Sequence, residues 1–402
     1  MNHIWYPFYQ AQVDGAPIQV SRAEGVMLYD EHDNSYLDIN SSWWVNVHGH
    51  GRKEIKEAIA EQFDKIDHVI FSGVTHQAAE DLSKNVVDLL GSPFDKVFFS
   101  DDGSTAVEVA LKMAIQYFTN QGIQRKKIVA LDGAYHGDTF GAMSAGQRDY
   151  FNKPFEPYFF DVEFLSFPSP ENWEACLSMA RDLASSKDVV AFIAEPLVQG
   201  SAGMRMYESA QLDALVQVFR NSGALIIFDE IMTGWGRLGK YFAMNHCEQK
   251  PDIVCLSKGL TGGVLPLGLT VSTQKVYAVF DQPDKAKALL HGHSFTGNPL
   301  ACAAALASIK IFHQDETWQN VERISNKMSS FVTYLKHQGL FHNPRSMGTI
   351  FAVDLLPSDG YFAEVRNKIY QHFLDNGILC RTLGDTVFFN PPYVIKNDEF
   401  QY

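Results

Sequence analysis

Short apolar runs alternate with amphipathic helical segments between residues 96 and 272, and this alternation limits the fold more than any other feature of the sequence. Strands separated by helices favour a mostly parallel sheet with helices packed on both of its faces. We therefore predict an α/β fold built on such a sheet. The predicted strands cover residues 96–100, 127–131, 163–167, 189–194, 225–229, 253–256 and 268–272, and helices at 105–120, 173–184 and 209–221 lie between several of them.

The two ends of the chain have a different pattern from the middle. Short strand-like runs and turn signals fill the first 50 residues, whereas the last hundred contain helices, short strands and a further predicted helix at 362–376. A chain of 402 residues is long enough for one large domain and a smaller companion. We predict a large domain at 51–300 and a small α+β domain made of 1–50 together with 301–402.

Composition excludes several classes of protein. The net charge of −14 disfavours attraction to nucleic acid or to an anionic membrane. The five cysteines are scattered without a C-x-x-C pair, which is typical of reduced thiols rather than of a disulfide framework or a zinc site. No apolar run reaches about 18 residues, and residues 1–8 lack the pattern of a secretory signal. We expect a cytoplasmic protein that binds neither nucleic acid nor membrane.

Two chemically distinctive side chains follow predicted strands. Asp229 ends the strand at 225–229, and Lys258 comes just after the strand at 253–256, where glycines follow it. Ligands of open α/β sheets bind at the carboxyl ends of the strands. A lysine amine together with an aspartate for a pyridinium nitrogen is the pair that pyridoxal phosphate (PLP) chemistry requires. Taken singly, Lys258 could be a solvated strand end, and Asp229 a helix cap or a metal ligand.

An anion site is predicted where the strand at 96–100 meets the next helix. Gly103 permits a tight turn, and backbone N–H groups at a helix N-terminus attract anions. The alternative is a plain helix cap, with Ser104 or Thr105 as the capping residue and Glu108 nearby.

Two more residues are candidates for ligand contacts. Tyr135 follows the strand at 127–131 and could stack on a flat heteroaromatic ring, with Asp138 orienting a neighbour, or it could simply pack in the core. Arg381 follows a short strand near the chain end and could bind a carboxylate through two parallel hydrogen bonds, or form a surface ion pair.

Two patterns are misleading. The run from Gly234 to Tyr241 nearly matches a P-loop, but Tyr241 stands where that motif needs serine or threonine. Two His-Gly-His runs resemble metal ligands, yet neither has an acid or a cysteine at ligand spacing, so we expect no metal site. These runs are His48/His50 and His291/His293.

Longer motifs carry a resemblance to a known family. They are Ser41-Ser-Trp-Trp44, Gly73-Val-Thr-His76, the segments 135–144 and 199–207, Phe228-Asp-Glu-Ile231, Ser257-Lys-Gly259 and Pro391-Pro-Tyr393. With them the chain resembles the class III PLP-dependent aminotransferases, which include the ω-aminotransferases, and within that family it is similar to the branch that acts in biotin biosynthesis. The similarity runs from Ile4 to about Tyr393.

The resemblance implies a fold, a cofactor and a reaction. The fold would be fold type I of the PLP-dependent transferases, assembled as a homodimer with shared active sites. The cofactor would be pyridoxal 5′-phosphate. The reaction would transfer an amino group from a small-molecule donor, with S-adenosylmethionine expected, to 8-amino-7-oxononanoate, giving 7,8-diaminononanoate.

The resemblance also implies roles for individual residues. Lys258 would bind PLP, Asp229 would pair with its pyridinium nitrogen, and Tyr135 would line both cofactor and substrate. The loop at 292–294 would reach into the neighbouring subunit's site. In full, the implied residues are Lys258, Asp229 and Tyr135 for catalysis; Gly103, Ser104, Tyr135, Asp229, Lys258, His293 and Ser294 for the cofactor; and Phe8, Trp43, Trp44, Tyr135, Arg237, Gly292 and Arg381 for the substrate.

Two positions depart from the family pattern and leave the amino donor open. Phe8 and Phe388 stand where members that use S-adenosylmethionine carry tyrosine, and phenylalanine lacks the hydroxyl that could donate a hydrogen bond. Lysine is therefore an alternative donor. The sequence also leaves open a broader ω-aminotransferase acting on diamines or ornithine-like amines, a PLP-binding regulatory protein without turnover, and a metal-dependent hydrolase that uses the His-Gly-His runs.

Overall fold

The structure is a computed structural model that describes residues 3–339, 341–355 and 364–401. The strands are β1 (Val20–Glu24), β2 (Met27–Asp30), β3 (Ser35–Asp38), β4 (Phe94–Ser100), β5 (Lys127–Leu131), β6 (Val162–Leu165), β7 (Val189–Ala194), β8 (Val198–Gln199), β9 (Arg205–Met206), β10 (Leu225–Asp229), β11 (Ile253–Leu256), β12 (Gly268–Thr273), β13 (His342–Met347), β14 (Ile350–Asp354), β15 (Ile378–Leu379) and β16 (Thr386–Phe389). The helices are α1 (Ser41–Trp44), α2 (Lys53–Phe63), α3 (Gln77–Leu90), α4 (Gly103–Asn120), α5 (Phe140–Ser144), α6 (Trp173–Ser185), α7 (Ser209–Asn221), α8 (Gln274–Tyr277), α9 (Pro299–Phe312), α10 (Asp315–Gln338) and α11 (Glu364–Asp375). Short 3-10 helices cover Lys153–Tyr158, Ala243–His246, Lys258–Thr261, Lys285–Lys287 and Glu399–Gln401.

A seven-stranded sheet forms the centre of the molecule, in the order β4-β12-β11-β10-β7-β5-β6. Strand β12 runs antiparallel to both of its neighbours, and the remaining strand pairs are parallel. Every residue of β7, β10, β11 and β12 is buried. Strands buried on both faces carry near-continuous apolar runs, which is the pattern seen in the sequence. The predicted mostly parallel sheet is confirmed.

Helices cover both faces of this sheet because successive strand residues point in opposite directions. In β5, Val129 and Leu131 pack in one apolar cluster with α6 and α7, whereas Ile128 and Ala130 pack in another with α4. Most of the buried side chains of α4, such as Val107 and Ala110, are therefore sequestered on one face of the sheet. No helix in the described part of the chain is long and apolar enough to cross a membrane.

The two chain ends meet in smaller sheets. Strand β15 adds in parallel to β3 in the order β1-β2-β3-β15, and β13-β14-β16 form a separate three-stranded sheet. The predicted helix at 362–376 begins outside the described residues and is seen as α11. This pairing supports a small domain built from both ends, and the division at residues 50 and 300 stays a prediction.

Arg237 fastens both chain ends to the segment that follows β10. Its side chain is 1% exposed. One terminal nitrogen donates hydrogen bonds to the carbonyls of Pro391 (2.9 Å) and Asn390 (3.4 Å), and the other donates to the carbonyl of Trp44 (3.3 Å). Burial lowers the pKa of this guanidinium. Carbonyls from two distant segments therefore depend on one buried cation.

We expect Arg237→Met to destabilise the fold, because methionine fills similar volume but leaves the buried carbonyls of Pro391 and Trp44 without their donor, whereas that of Asn390 keeps the Ser41 hydroxyl. The free energy of unfolding should fall by about 2–4 kcal/mol. The measurement is the midpoint of urea unfolding at unchanged slope. Arg181→Met, which removes an exposed arginine from α6, is the matched control and should change the free energy by less than about 0.5 kcal/mol. An unchanged midpoint in Arg237→Met would contradict this role.

Candidate active site

Two cavities meet at the carboxyl ends of β10 and β11. The smaller has a volume of about 420 Å³ and is lined by Asp229, Lys258 and the start of α4. The larger, about 1160 Å³, opens from the same place toward Phe8 and Arg381. Lys258 lines both cavities, as do Trp44, Val45, Tyr135 and Gly137. A group held in the smaller cavity can therefore face a second molecule in the larger one.

Lys258 begins a single 3-10 turn directly after β11, with a backbone φ of 47°. Its ammonium nitrogen lies 5.0 Å from the centre of the Trp44 ring. Burial is the main cause of a lowered pKa for Lys258, and Asp229 and Glu195 oppose that shift. Arg237 also lowers this pKa, as a minor contributor. A lowered pKa makes the neutral amine, which can accept a proton, more abundant.

Asp229 is held in place by two hydrogen bonds. Its Oδ2 lies 2.8 Å from Nδ1 of His136, and its Oδ1 accepts a hydrogen bond from the backbone N–H of Ile231 at 3.1 Å. Both side chains of the Asp229–His136 pair are almost fully buried. Sequence reasoning missed His136, although it directly follows Tyr135 in the segment 135–144. The pair fixes one carboxylate at the floor of the smaller cavity.

The start of α4 forms the opposite end of the smaller cavity. Asp102, rather than Ser104 or Thr105, is the N-cap: its carboxylate accepts from the N–H of Thr105 at 2.9 Å. The predicted cap was wrong because the helix begins at Gly103, so Ser104 and Thr105 lie inside its first turn and Asp102 occupies the capping position. The hydroxyl of Ser104 remains on the cavity wall, where it accepts from the N–H of Asp138 at 3.2 Å.

Glu108 has a different partner from the one predicted. Its carboxylate accepts hydrogen bonds from Thr139 Oγ1 (2.6 Å) and from the N–H groups of Gly141 (2.6 Å) and Ala142 (3.0 Å). It therefore caps α5 rather than α4, and it fixes the segment that follows Tyr135.

Tyr135 lies where the cavities join, and its backbone is fixed by a buried acid. Glu195 accepts hydrogen bonds from the N–H groups of Tyr135 (3.0 Å) and Gly200 (2.9 Å). Burial is the main cause that raises the pKa of Glu195 to about 7. The pKa of the Tyr135 hydroxyl is also raised, mainly by burial and to a smaller extent by Asp138, so the phenol stays protonated.

Aromatic rings line the larger cavity together with two arginines, Arg366 and Arg381. Phe8 contacts Trp43 at 5.6 Å between ring centres, and Trp44 contacts Phe388 at 5.9 Å. The guanidinium carbon of Arg381 lies 5.0 Å from the centre of the Trp43 ring. The cavity is thus suited to an extended apolar molecule with one anionic end.

The remaining predicted site residues lie elsewhere. Arg237 lines neither cavity, and its three hydrogen bonds go to backbone carbonyls. Gly292, His293 and Ser294 also line neither cavity of their own chain. His293 contacts the smaller cavity indirectly, since its Nδ1 lies 3.3 Å from Oδ2 of Asp101.

The His-Gly-His runs have ordinary polar partners. His48 Nε2 lies 2.9 Å from Ser308 Oγ, and His50 Nε2 lies 3.1 Å from Asp38 Oδ2. Within the described residues there is no group of three or more histidine, cysteine, aspartate or glutamate side chains that could hold a metal ion.

Known sequences resemble this chain over its whole length. A protein from Synechococcus elongatus named adenosylmethionine-8-amino-7-oxononanoate aminotransferase is 42% identical, with 99% of this chain and 96% of the relative covered. A protein of the same name from Helicobacter pylori is 35% identical, with 99% and 93% covered.

Solved structures also resemble this chain over nearly its whole length. The crystal structure of adenosylmethionine-8-amino-7-oxononanoate aminotransferase from Methanocaldococcus jannaschii matches with a TM-score of 0.92 at 35% identity, covering 99% of this chain and 94% of that one. An amine transaminase from an uncultivated Pseudomonas species, in its PLP-bound form, matches with a TM-score of 0.91 at 27% identity, covering 99% and 96%. These likenesses confirm the predicted fold type I architecture.

A family model described as aminotransferase class-III matches residues 8–402. The relatives named above are 35–42% identical to this chain over nearly its whole length. Lys258, Asp229 and the N-terminus of α4 also lie around one cavity. The chain therefore belongs to the class III aminotransferases.

Proposed function

We propose that this protein is the PLP-dependent transaminase of biotin biosynthesis that converts 8-amino-7-oxononanoate to 7,8-diaminononanoate. The observation that carries the proposal is the position of Lys258, which faces both a small polar cavity and a long aromatic one that contains Arg381. The names of the relatives support the same reaction.

The residues of the smaller cavity fit PLP. Gly103, Ser104 and the N–H groups at the start of α4 suit a phosphate. Asp229 suits a protonated pyridine nitrogen, and Lys258 offers the amine that joins the aldehyde. The glycines also let the segments that line this cavity pack closely, since a Cβ on Gly137 would collide with Ser104 and one on Gly103 would collide with Ile231.

PLP supplies an electron sink for the negative charge that develops when a proton leaves the amine-bearing carbon. The chain supplies the proton transfer. Lys258 Nζ takes the proton and returns it to a neighbouring carbon, and its lowered pKa favours the neutral amine that this step requires. Asp229, oriented by His136, stabilises positive charge at the ring nitrogen.

The larger cavity fits a nine-carbon acid with its oxo group near one end. Trp44 lies beside Lys258, and its neighbour Trp43 lies beside Arg381. An apolar chain along these two rings places a carboxylate at Arg381 and a carbonyl at Lys258. A shorter substrate without the acid would leave Arg381 unpaired, which disfavours diamines.

In this proposal the protein is a homodimer, and the second copy of the chain completes the site. The loop that contains Gly292, His293 and Ser294 lines neither cavity of its own chain, and it exposes Leu290 (74%) and Phe295 (61%). Exposed apolar side chains of this size favour a protein contact. The family resemblance implies that this loop would lie against the neighbouring subunit's cofactor.

S-adenosylmethionine is the proposed amino donor. Phe8 is exposed at the mouth of the larger cavity and contacts both Trp43 and Phe151, so these rings can stack on a purine. Phe388 contacts Trp44 and offers no hydroxyl. Lysine as the donor is the second candidate, because neither phenylalanine can donate a hydrogen bond to the purine or its sugar.

Replacing Lys258 should abolish turnover. We expect Lys258→Ala to lower kcat by about 10²- to 10⁴-fold through loss of proton transfer alone, with circular dichroism unchanged. Lys275→Ala is the matched control: Lys275 contacts Asp252 at the opposite end of β11 and should be dispensable for turnover. Near-normal activity of Lys258→Ala would remove the basis of the proposal.

The donor can be decided with purified protein, PLP and 8-amino-7-oxononanoate. We expect 7,8-diaminononanoate, detected by mass spectrometry, with S-adenosylmethionine. Product with lysine alone would reassign the donor and make Phe8 and Phe388 the first residues to exchange for tyrosine. Conversion only of diamines or ornithine-like amines would indicate the broader ω-aminotransferase, and PLP binding without any turnover would indicate a regulatory protein.

The lowered pKa of Lys258 predicts its reactivity in the PLP-free protein. A lowered pKa means that the neutral amine appears at lower pH, so acetylation of Lys258 should reach half of its maximal rate below pH 10.5, the ordinary lysine value. Mass spectrometry of peptides, with exposed Lys187 as an internal reference, measures this rate. A half-maximal rate at or above that pH would contradict the assignment, as would labelling that added PLP does not block.

A further inference from the structure

Asn40 joins the two segments that wall the larger cavity. Its side chain is buried, and its amide makes two hydrogen bonds to distant backbone. Nδ2 donates to the carbonyl of Phe388 at 3.0 Å, and Oδ1 accepts from the N–H of Arg381 at 2.7 Å. Arg381 follows β15 and Phe388 belongs to β16. One amide group therefore sets how far apart these two walls lie.

The segment that follows Asn40 carries two tryptophans, Trp43 and Trp44, which contact Arg381 and Phe388. Trp43 lies under the guanidinium of Arg381, and Trp44 contacts the ring of Phe388. The turn between Asn40 and these rings has an uncommon backbone conformation that surrounding contacts must hold, because Ser41, Ser42 and Trp44 all have positive φ (51°, 61° and 67°). A displacement of Asn40 would shift Arg381 relative to Trp43 and hence relative to Lys258.

The residue directly after Arg381 carries a hydroxyl and also lines the larger cavity. Thr382 is 4% exposed and lines the larger cavity, and among the described residues its Oγ1 has no hydrogen-bond partner. A buried hydroxyl favours a ligand that pairs with it. A carboxylate can accept from both the Arg381 guanidinium and this hydroxyl.

We propose that Asn40 is a positioning residue for the substrate carboxylate: it holds Arg381 and Thr382 at the distance from Lys258 that 8-amino-7-oxononanoate spans. This inference rests on the proposed function. Asn40 acts through the backbone N–H of Arg381, so its loss weakens recognition of the acid without removing any group that takes part in proton transfer.

The experiment compares the oxo acid with its methyl ester in wild type, Asn40→Ala and Asn40→Asp. Asn40→Ala should raise KM for the acid by about 10- to 100-fold, since a charge-bearing contact is misplaced, and should change kcat by less than about threefold. KM for the ester should change by less than about threefold, because the ester offers no carboxylate. Asn40→Asp keeps the acceptor for the Arg381 N–H but loses the donor to the Phe388 carbonyl, so its KM for the acid should lie between those of wild type and Asn40→Ala.

Two controls separate positioning from general damage. Asn245 is the control: its side-chain oxygen accepts a hydrogen bond from the backbone N–H of Phe242 at 2.9 Å, and it lines neither cavity. Asn245→Ala removes this bond and should leave both KM values unchanged. Asn40→Leu, close in shape to asparagine but without hydrogen-bonding groups, replaces Asn40→Ala if that variant does not fold. Equal losses for acid and ester, or an unchanged KM for the acid, would overturn the inference.

Calorimetric binding distinguishes failure of this inference from failure of the proposed function. If the wild type does not convert the acid, the proposed reaction is wrong, and titration of acid and ester into the PLP-loaded protein still measures carboxylate recognition. The positioning role is supported if the wild type binds the acid more tightly than the ester and Asn40→Ala binds both equally. A preference for the acid that is equal in both proteins refutes it.

Discussion

The parallel pairing of β10 with β11 is the constraint on which the rest of the site depends. Its register places Asp229 opposite Cys255, and Lys258 follows three residues later. Because parallel strands end at the same edge of a sheet, the aspartate and the lysine are brought together by backbone hydrogen bonds rather than by their own attraction. Their burial then follows from the helices that cover both faces, and that burial gives Lys258 its lowered pKa.

Much of the centre of the fold could be predicted from the sequence, and for a physical reason. Strands buried on both faces leave continuous apolar runs bounded by polar or glycine-containing turns, so the predicted ranges 127–131, 189–194, 225–229 and 253–256 coincide with β5, β7, β10 and β11. Lys258 and Asp229 were found because each follows such a run at the sheet edge where ligands bind, and because together they match one cofactor.

The rest of the site depends on contacts that local patterns do not reveal. Positive φ angles at Ser41, Ser42 and Trp44 are unexpected for residues with side chains, and Asp38 stabilises this turn by accepting from the N–H of Ser42 at 2.7 Å. Arg237 was expected at the substrate because of the family resemblance, and its buried carbonyl partners, more than a hundred residues away in sequence, leave no local pattern. The helix cap at Asp102 was missed because Ser104 and Thr105, close by, are capping residue types as well.

The contact between the chain ends has a consequence for the order in which the molecule forms. Asn40 and Ser41 bond to Phe388 and Asn390, which are 348 and 349 residues further along the chain. During synthesis the central sheet can assemble as soon as β12 has left the ribosome. The turn from Asn40 to Trp44, in contrast, can be fixed only after almost the entire chain has been made. Closing so long a loop adds entropy cost to a late step. Asp229 and Lys258 can therefore come together before Trp43, Arg381 and Phe388 do, so the shared edge of β10 and β11 forms ahead of the wall of the larger cavity.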